Sequence, residues 1–400
     1  MNIFKLSIKN IFNKPLSSSI SLALLILGVG IISLLLQLNT LIKDQMDNNL
    51  RGIDMVVGAK GSPLQLILSS VYHIDSPTGN ISFQEAENIS KNRMVGSSIK
   101  ILYGDNYKGY RIVGAEKKFI DLYKGVIKEG KDWEKPYEVL VGSKVYEKLK
   151  INLGDELVSS HGLRETGQSH DEGTFKVVGL LKPSNSVIDQ LIITSPQSVW
   201  NIHNDHDHDD EDEHEHEHDD REITAMLIKF KSPMNIIQFP RQINENTNLQ
   251  AAVPSYEISR LFKLFGFGIE TLSYLAYLII IVSGFSLFIN LFNSMRERKY
   301  EMALIRTLGA SRLQLSTMII FESLALTISG FVLGLLFSRF GVMFVSSLME
   351  ESLNYNLNSF KILNDEFWLL GLSILIGMVS SLIPAIQVYK MNISKILANA

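Results

Sequence analysis

Long apolar runs punctuate this chain and bracket one long mixed segment. Residues 15–42, 271–295 and 367–389 carry no charged side chain, and 313–345 carries only Glu322 and Arg339. A helix needs about 20 such residues to cross a bilayer. The pattern predicts four transmembrane helices, at 16–42, 255–295, 313–345 and 367–389. The second helix is expected to start at Pro254 or Ser255, because proline suits a first helical turn. From 255 to 295 it would be about 60 Å long at 1.5 Å per residue. That is about twice the hydrocarbon thickness of a bilayer, so its first part (255–270) reads as a stalk. The first run is longer than the 7–15 apolar residues of a secretory signal and reads as a retained helix. Residues 1–15 place Lys5, Lys9 and Lys14 among apolar neighbours, the pattern of a basic interfacial helix.

Between the first two spans, residues 43–254 show short apolar strings bounded by turns. Tyr110–Gly114, Val139–Gly142, Phe175–Leu181, Leu191–Thr194 and Ala225–Phe230 read as strands. Ser82 and Glu85 make a capping-box pattern at a helix start, and Ser143–Lys150 reads as another helix. The mixture predicts an α+β domain without internal repeat. The fold class is therefore a membrane protein with four transmembrane helices in a 1+3 arrangement. A large α+β extracytoplasmic domain lies between helices 1 and 2.

The 400 residues are 46% apolar and 20% charged, and the uncharged runs, too long for the core of a soluble protein, exclude a simple cytosolic enzyme. A bacterial outer-membrane barrel is excluded too, because its strands alternate at period two. Cysteine is absent, so there is neither a disulfide nor a thiolate metal site. Eleven of the 42 acids lie between Asp205 and Asp220, and without them the net charge of −4 becomes +7.

Basic residues set the orientation. The 296–312 segment holds Arg296, Arg298, Lys299, Arg306 and Arg312, and the 390–400 tail holds Lys390 and Lys395. The 346–366 loop instead carries Glu350, Glu351, Asp365 and Glu366 against Lys361. Both termini and 296–312 are thus expected in the cytoplasm, and 43–254 outside.

No catalytic constellation emerges. Gly125, Gly130 and Lys131 fit Gly-x4-Gly-Lys, but Asp132 stands where a phosphate loop needs Ser or Thr.

The stretch MRERKYEMALIRTLGASRLQL (295–315) resembles the cytoplasmic loop of MacB/FtsX-type ABC transporter permeases. SLALLILGVGIISLLLQL resembles the family's first span. VYEKLKINLGDEL (145–157) and FKVVGLLKPSNSVIDQLIIT (175–194) resemble its MacB-like external core domain. FESLALTISGFVLGLLFS (321–338) resembles its third span, and PAIQVYKMNISKIL (384–397) its C-terminal end. The resemblance implies a bacterial inner-membrane permease, working as a homodimer or pseudo-dimer with a separate cytoplasmic ATPase. ATP would act only through that partner, and no nucleic acid is involved. The helix around 295–309 would couple to the ATPase, with Glu297, Arg298, Glu301 and Arg306 as a polar docking surface. A topology signal alone needs bases but no acids, and the interleaved Glu297 and Glu301 favour docking. Glu322 falls where the family has a membrane-embedded acid. It either pairs within the bundle or reaches the headgroups.

Residues 203–220 read HNDHDHDDEDEHEHEHDD. His203, His206, His208, His214, His216 and His218 alternate with carboxylates, and so polar a tract cannot bury a core. Imidazole suits zinc, nickel or copper, so transient binding of Zn2+ or another divalent metal is one reading. A solvated acidic spacer is the other. The segment 54–81 resembles a subgroup of these permeases with such loops, tied to zinc supply, and His73 and Asp75 lie within it. Two ligands alone do not make a metal site.

The leading function is thus a non-catalytic ABC permease handling a metal or metal-bound ligand. An extracytoplasmic accessory or metal-binding protein would be a further partner. The alternatives are export or extraction of a lipid, lipoprotein, peptide or drug, mechanical activation of an external enzyme, or a free-standing metal receptor.

Overall fold

The computed structural model describes residues 15–160, 169–204, 221–353 and 362–391. The expected interfacial helix before residue 15 and most of the C-terminal tail lie outside these residues. The chain forms two compact units, one of residues 43–263 and one of residues 1–42 with 264–400.

Helix α1 spans Pro15–Asn49. There follow β1 (Met55–Ala59), α2 (Pro63–Ser70), β2 (Ile81–Ser82), α3 (Phe83–Ser90), β3 (Val95–Tyr107) and β4 (Tyr110–Ala115). Next come α4 (Lys118–Leu122), β5 (Ile127–Gly130), β6 (Glu138–Val141), α5 (Ser143–Leu149), β7 (Glu156–Ser160) and β8 (Ser169–Leu181). A 3-10 turn at Val187–Gln190 leads to β9 (Ile192–Thr194), α6 (Pro196–Asn204), β10 (Glu222–Ile223) and β11 (Ala225–Phe230). The last elements are α7 (Asn235–Asn246), β12 (Leu249–Ala252), α8 (Pro254–Glu297), α9 (Lys299–Thr307), α10 (Arg312–Leu353) and α11 (Asn364–Tyr389).

The unit of residues 43–263 is built on a ten-stranded mixed sheet in the order β12-β1-β11-β3-β4-β9-β6-β8-β5, with β7 pairing β3 and β8. The pairs β4–β9 and β6–β8 are parallel. Parallel pairs need crossovers over a sheet face, so both faces become covered. Alternation at period two sorts each strand's side chains between them. Val56, Ile101, Val113, Leu140, Ile193 and Leu227 face one core, which α2 and α4 cover with Leu66, Ile67, Phe119 and Ile120. Their strand neighbours Met55, Val57, Leu102, Met226 and Ile228 face the opposite side, covered by Ala86, Val199, Phe239 and Ile243. At the other end of that side, Ile112, Val139, Val141 and Ile192 pack on Val145 and Tyr146 of α5.

Local chemistry sets the helix ends. Ser62 accepts the Gln65 amide just before Pro63, and Ser82 accepts the Gln84 amide at the start of α3. The ends of the long helices belong to this unit too. Met46, Leu50, Leu261 and Phe262 pack against the first core. Asn49 is fully buried, and its Oδ1 accepts the Val187 amide at 2.9 Å. The Tyr123 hydroxyl donates to the Asn49 carbonyl at 3.4 Å. The 3-10 turn is held from its other side by Asp189, 1% exposed, which accepts the Ser184 amide and hydroxyl.

Among the described residues there are four helices long and apolar enough to cross a membrane, and in the sequence the sheet domain falls between the first and the other three. Lipid offers no hydrophobic force between helices, so close packing and polar rungs hold them. At the α1–α10 crossing, a Cβ on Gly30 would stand 3.1 Å from the Gly334 carbonyl oxygen. Ser21 bonds Ser286 at 2.9 Å, Ser380 bonds the Gly284 carbonyl at 2.9 Å, and Ser323 bonds the Gly377 carbonyl at 2.6 Å. Outward-facing residues such as Phe285, Phe340 and Trp368 are exposed and apolar, as a lipid-facing surface requires.

Replacing Asn49 with Ala would leave the buried Val187 amide without its acceptor, a cost of about 1–3 kcal/mol. Hydrogen exchange on the full-length protein should then show Val187 and its neighbours exchanging roughly 10- to 100-fold faster. Unchanged protection over 184–191 would show that Asn49 does not hold this turn.

Candidate functional site

Four places carry chemistry: the short helix α9, a polar cluster inside the membrane bundle, a buried histidine in the sheet domain, and the base of the histidine tract.

Helix α9 is separated from α8 by Arg298, whose backbone leaves the helical region. The Arg298 Nε donates to Glu301 Oε2 at 3.0 Å, with the Arg298 side chain 14% exposed and Glu301 64% exposed. Glu297 is exposed and Arg306 half-buried. Met302 packs with Leu287, Leu291, Met295, Leu315 and Ile319, and Ala303 beside it is fully buried. Gly309 turns the chain at φ 103°, a conformation that strains any residue with a Cβ. Ser311 and Gln314 then cap α10 reciprocally, at 3.1 and 2.8 Å.

Inside the bundle, Arg339 of α10 meets Glu366 of α11 in a two-pronged ion pair. Nη1–Oε1 and Nη2–Oε2 are both 2.8 Å. Ser33 of α1 gives its one proton to Glu366 Oε1 at 2.7 Å, which leaves its oxygen to accept from the Ser338 hydroxyl at 2.9 Å. The Leu363 amide donates to Glu366 Oε2 at 3.1 Å, so the same carboxylate caps α11. Glu366 is 1% exposed and the Arg339 side chain 10%. The sequence counted Glu366 among loop acids; it lies in the first helical turn instead, because Arg339 neutralises it there. The signal was Arg339 alone in an apolar run, but its partner is 27 positions away. Glu322 is 7% exposed and has an interaction partner, so it lies inside the bundle rather than on the lipid face.

In the sheet domain, His73 sits behind α2 at φ 55°, 9% exposed. Its Nδ1 lies 2.8 Å from the Tyr103 hydroxyl, which also contacts the Ser69 carbonyl. A tyrosine has one proton to give. Given to Ser69, it leaves the tyrosine oxygen to accept from His73 Nδ1–H. The Arg111 guanidinium stacks 4.6 Å from the Tyr103 ring centre and donates to the Asp75 carbonyl. Burial first, and Arg111 second, push the His73 pKa down to about 3. Burial raises the Tyr103 pKa, against the opposing pull of Arg111. The carboxylate of Asp75 accepts the Ser76 amide in a local turn. Among the described residues no group of three His, Asp or Glu side chains could hold a metal. His73 and Asp75 therefore carry packing and turn roles.

His206, His208, His214, His216 and His218 lie outside the described residues. His203 belongs to the last turn of α6, and its side chain lies outside them too. Trp200 Nε1 donates to the Glu222 carbonyl at 2.8 Å, and Arg221 lies 5.3 Å over the Trp200 ring. The Phe83 amide donates to the Arg221 carbonyl at 2.8 Å, and the Phe83 ring meets Trp200 edge-on at 5.5 Å. The chain thus leaves and re-enters one cross-linked patch. The near-phosphate loop is no nucleotide site. Lys131 pairs with Glu134 at 2.9 Å, Asp132 with Lys117 at 2.8 Å, and no helix starts there.

Residues 273–393, which hold the second part of α8 and all of α9, α10 and α11, match the family model described as FtsX-like permease C-terminal. No curated protein matches the chain. Among solved structures, the periplasmic region of MacB from Actinobacillus actinomycetemcomitans is 11% identical. It covers 53% of this chain and 95% of its own, at a TM-score of 0.35. The extracellular domain of the noncanonic ABC-type transporter YknZ from Gram-positive bacteria is 13% identical. It covers 49% of this chain and 98% of its own, at a TM-score of 0.32.

Two outcomes follow from this geometry. Arg339→Met leaves Glu366 buried without its partner, at a cost of about 3–5 kcal/mol. The purified protein should lose its monodisperse form at lower temperature, and adding Glu366→Gln should recover most of the loss. If the double variant is no better than the single, the pair is not the source. For His73, both folded and unfolded states are neutral above pH 6.5. Below it the unfolded state takes up a proton that the folded state refuses until about pH 3. Stability of the sheet domain should therefore fall as pH drops from 6.5 toward 3, by up to about 1.4 kcal/mol per pH unit. Hydrogen exchange of β3 and β4 amides in the intact protein reads this slope, and His73→Gln should flatten it.

Proposed function

We propose that this chain is the membrane subunit of a bacterial ABC transporter of the MacB/FtsX type. One observation carries the reading: the FtsX-like permease match over residues 273–393. The four apolar helices and the large sheet domain between the first two support it. In this reading the chain sits in the cytoplasmic membrane, with both termini and residues 296–312 inside and the sheet domain outside. It pairs with a second permease copy or a homologue, and a separate cytoplasmic ATPase subunit hydrolyses ATP. The chain itself catalyses nothing. Residues Glu297, Arg298, Glu301 and Arg306 lie on or beside the helix that docks on that ATPase. Glu322 helps hold the bundle. Motion of the coupling helix is passed to the external domain.

For cargo we propose a divalent metal ion, zinc first, or a metal-bound ligand, captured transiently by His203, His206, His208, His214, His216 and His218. The chemistry of the donors supports this: neutral imidazoles bind such ions, and the surrounding acids raise the local cation concentration. Replacing 205–220 keeps in the chain the Trp200, Phe83 and Arg221 contacts that cross-link the base of the tract.

Calorimetric titration of zinc, nickel and copper into the intact complex tests the reading. It is compared with a variant whose 205–220 segment is a short Gly/Ser linker. The expected result is metal binding that disappears in the variant, together with a metal-dependent change in ATP turnover that disappears with it. Equal binding and equal turnover in both proteins would reduce the tract to a spacer. The cargo would then be sought among lipids, lipoproteins and peptides.

A further inference from the structure

Among the described residues of the sheet domain, a buried cation stands without an anion. Arg111 lies on β4 two positions before Val113, so period-two alternation turns both toward the core under α2 and α4. Only 9% of Arg111 is exposed. Its guanidinium stacks on the Tyr103 ring and donates to the Asp75 carbonyl, while the Asp75 carboxylate accepts the Ser76 amide. Among the described residues no carboxylate pairs with Arg111, and its buried Nε has no hydrogen-bond partner. An unpaired charge is costly to bury, and arginine cannot escape the cost by losing its proton.

A second buried atom near it has the opposite need. His73 Nδ1 and the Arg111 guanidinium both lie against Tyr103, at 2.8 Å from its hydroxyl and 4.6 Å from its ring centre. The Tyr103 proton goes to the Ser69 carbonyl, so His73 Nδ1 carries the imidazole proton and Nε2 is a bare acceptor. Among the described residues that Nε2 is buried and unpartnered, as is the Ser70 hydroxyl at the end of α2. The Arg111 charge reaches His73, whose pKa it helps to lower. Ile74 is 45% exposed, so the cluster lies one residue beneath a surface loop.

We propose that Arg111 and His73 form a site for one phosphate group that still carries a proton. The Arg111 N–H groups donate to its charged oxygens, as the arginine fork does to phosphate in general. The P–O–H group donates to His73 Nε2. It is the pairing of a donor with an acceptor that selects the ligand. Sulfate, a carboxylate or chloride would neutralise Arg111 but has no proton for His73 near neutral pH. Water serves both atoms and brings no charge. The shared chemistry admits free phosphate or a phosphomonoester. The site uses none of the tract histidines and depends on neither the metal reading nor the permease reading.

Full-length protein in maltoside detergent is titrated calorimetrically at pH 6.5 with inorganic phosphate, sulfate and glycerol 3-phosphate. EDTA is present, so that no metal bridges ligand and histidine tract. At this pH inorganic phosphate is protonated throughout and a phosphomonoester in part, its second pKa being about 6. The expected result is saturable binding of one phosphate per chain, with sulfate at least about 10-fold weaker. Arg111→Gln should lower phosphate affinity at least about 10-fold. His73→Phe keeps a ring but no acceptor. It should weaken phosphate and leave sulfate unchanged, so that the two become equal, a change that general loosening of the fold would not produce. The wild-type titrations decide the matter even if a variant fails to fold. Absence of saturable phosphate binding overturns the proposal and leaves water as the occupant. Sulfate bound by the wild type as tightly as phosphate overturns it too, as does phosphate binding that survives Arg111→Gln. Glycerol 3-phosphate bound as well as phosphate supports a phosphomonoester ligand, and its exclusion supports free phosphate.

Discussion

In the membrane, a polar group must find its partner within the protein, because lipid supplies none. The Arg339–Glu366 pair answers that constraint, and much of the bundle is arranged around it. One carboxylate accepts both guanidinium prongs, the Ser33 hydroxyl and the Leu363 amide. It thereby joins α1, α10 and α11 and also fixes where α11 begins. A buried pair of this kind is weak evidence for net stability, since desolvation offsets attraction. What the geometry shows is a constraint on register: a shift of α10 against α11 would part Arg339 from Glu366. Elsewhere the bundle relies on serine rungs and glycine crossings, which permit close approach but select a register less sharply.

The sheet domain solves a different problem with the same logic of satisfaction. Its central strands are buried on both faces, and helices or turns must cover each side. The turn at 187–190 is itself held by buried polar groups, Asp189 from within and Asn49 from the end of α1. His73 belongs to the same pattern. A neutral imidazole behind α2 stabilises the packing only while it stays unprotonated, so burial makes a loop residue sensitive to acid. None of this needs a metal.

Patterns that are local in sequence were legible. Ala225–Phe230 forms the strand its apolar run indicated, and Ser82 caps the helix its spacing indicated. Strands β1 and β12 went unread, because MVVGA and LQAA are too short to separate from loop without their partners. Strand β3 was hidden for another reason. Its 13 residues mix Gly, Ser, Lys and Asp with apolar positions, and a register shift between Tyr103 and Asn106 breaks the alternation. At the candidate sites, the sequence marked Glu297, Arg298, Glu301 and Glu322 by their charge. It could not show that Arg298 is turned onto Glu301, nor that Glu366 leaves the loop for a partner on α10. Pairing across 27 or 333 positions is a property of the packed helices.

The two faces of α9 show why charge alone misdirects a reading of such a segment. Positive residues near a membrane helix serve topology whatever else they do, so their presence discriminates poorly between docking and anchoring. Apolar residues discriminate better. Buried ones such as Met302 are explained by the bundle, and the bundle leaves Tyr300, Leu304 and Leu308 uncovered. Exposed apolar area has a standing cost, about 25 cal/mol for each Å2 left in water. Selection tolerates that cost where a partner removes it.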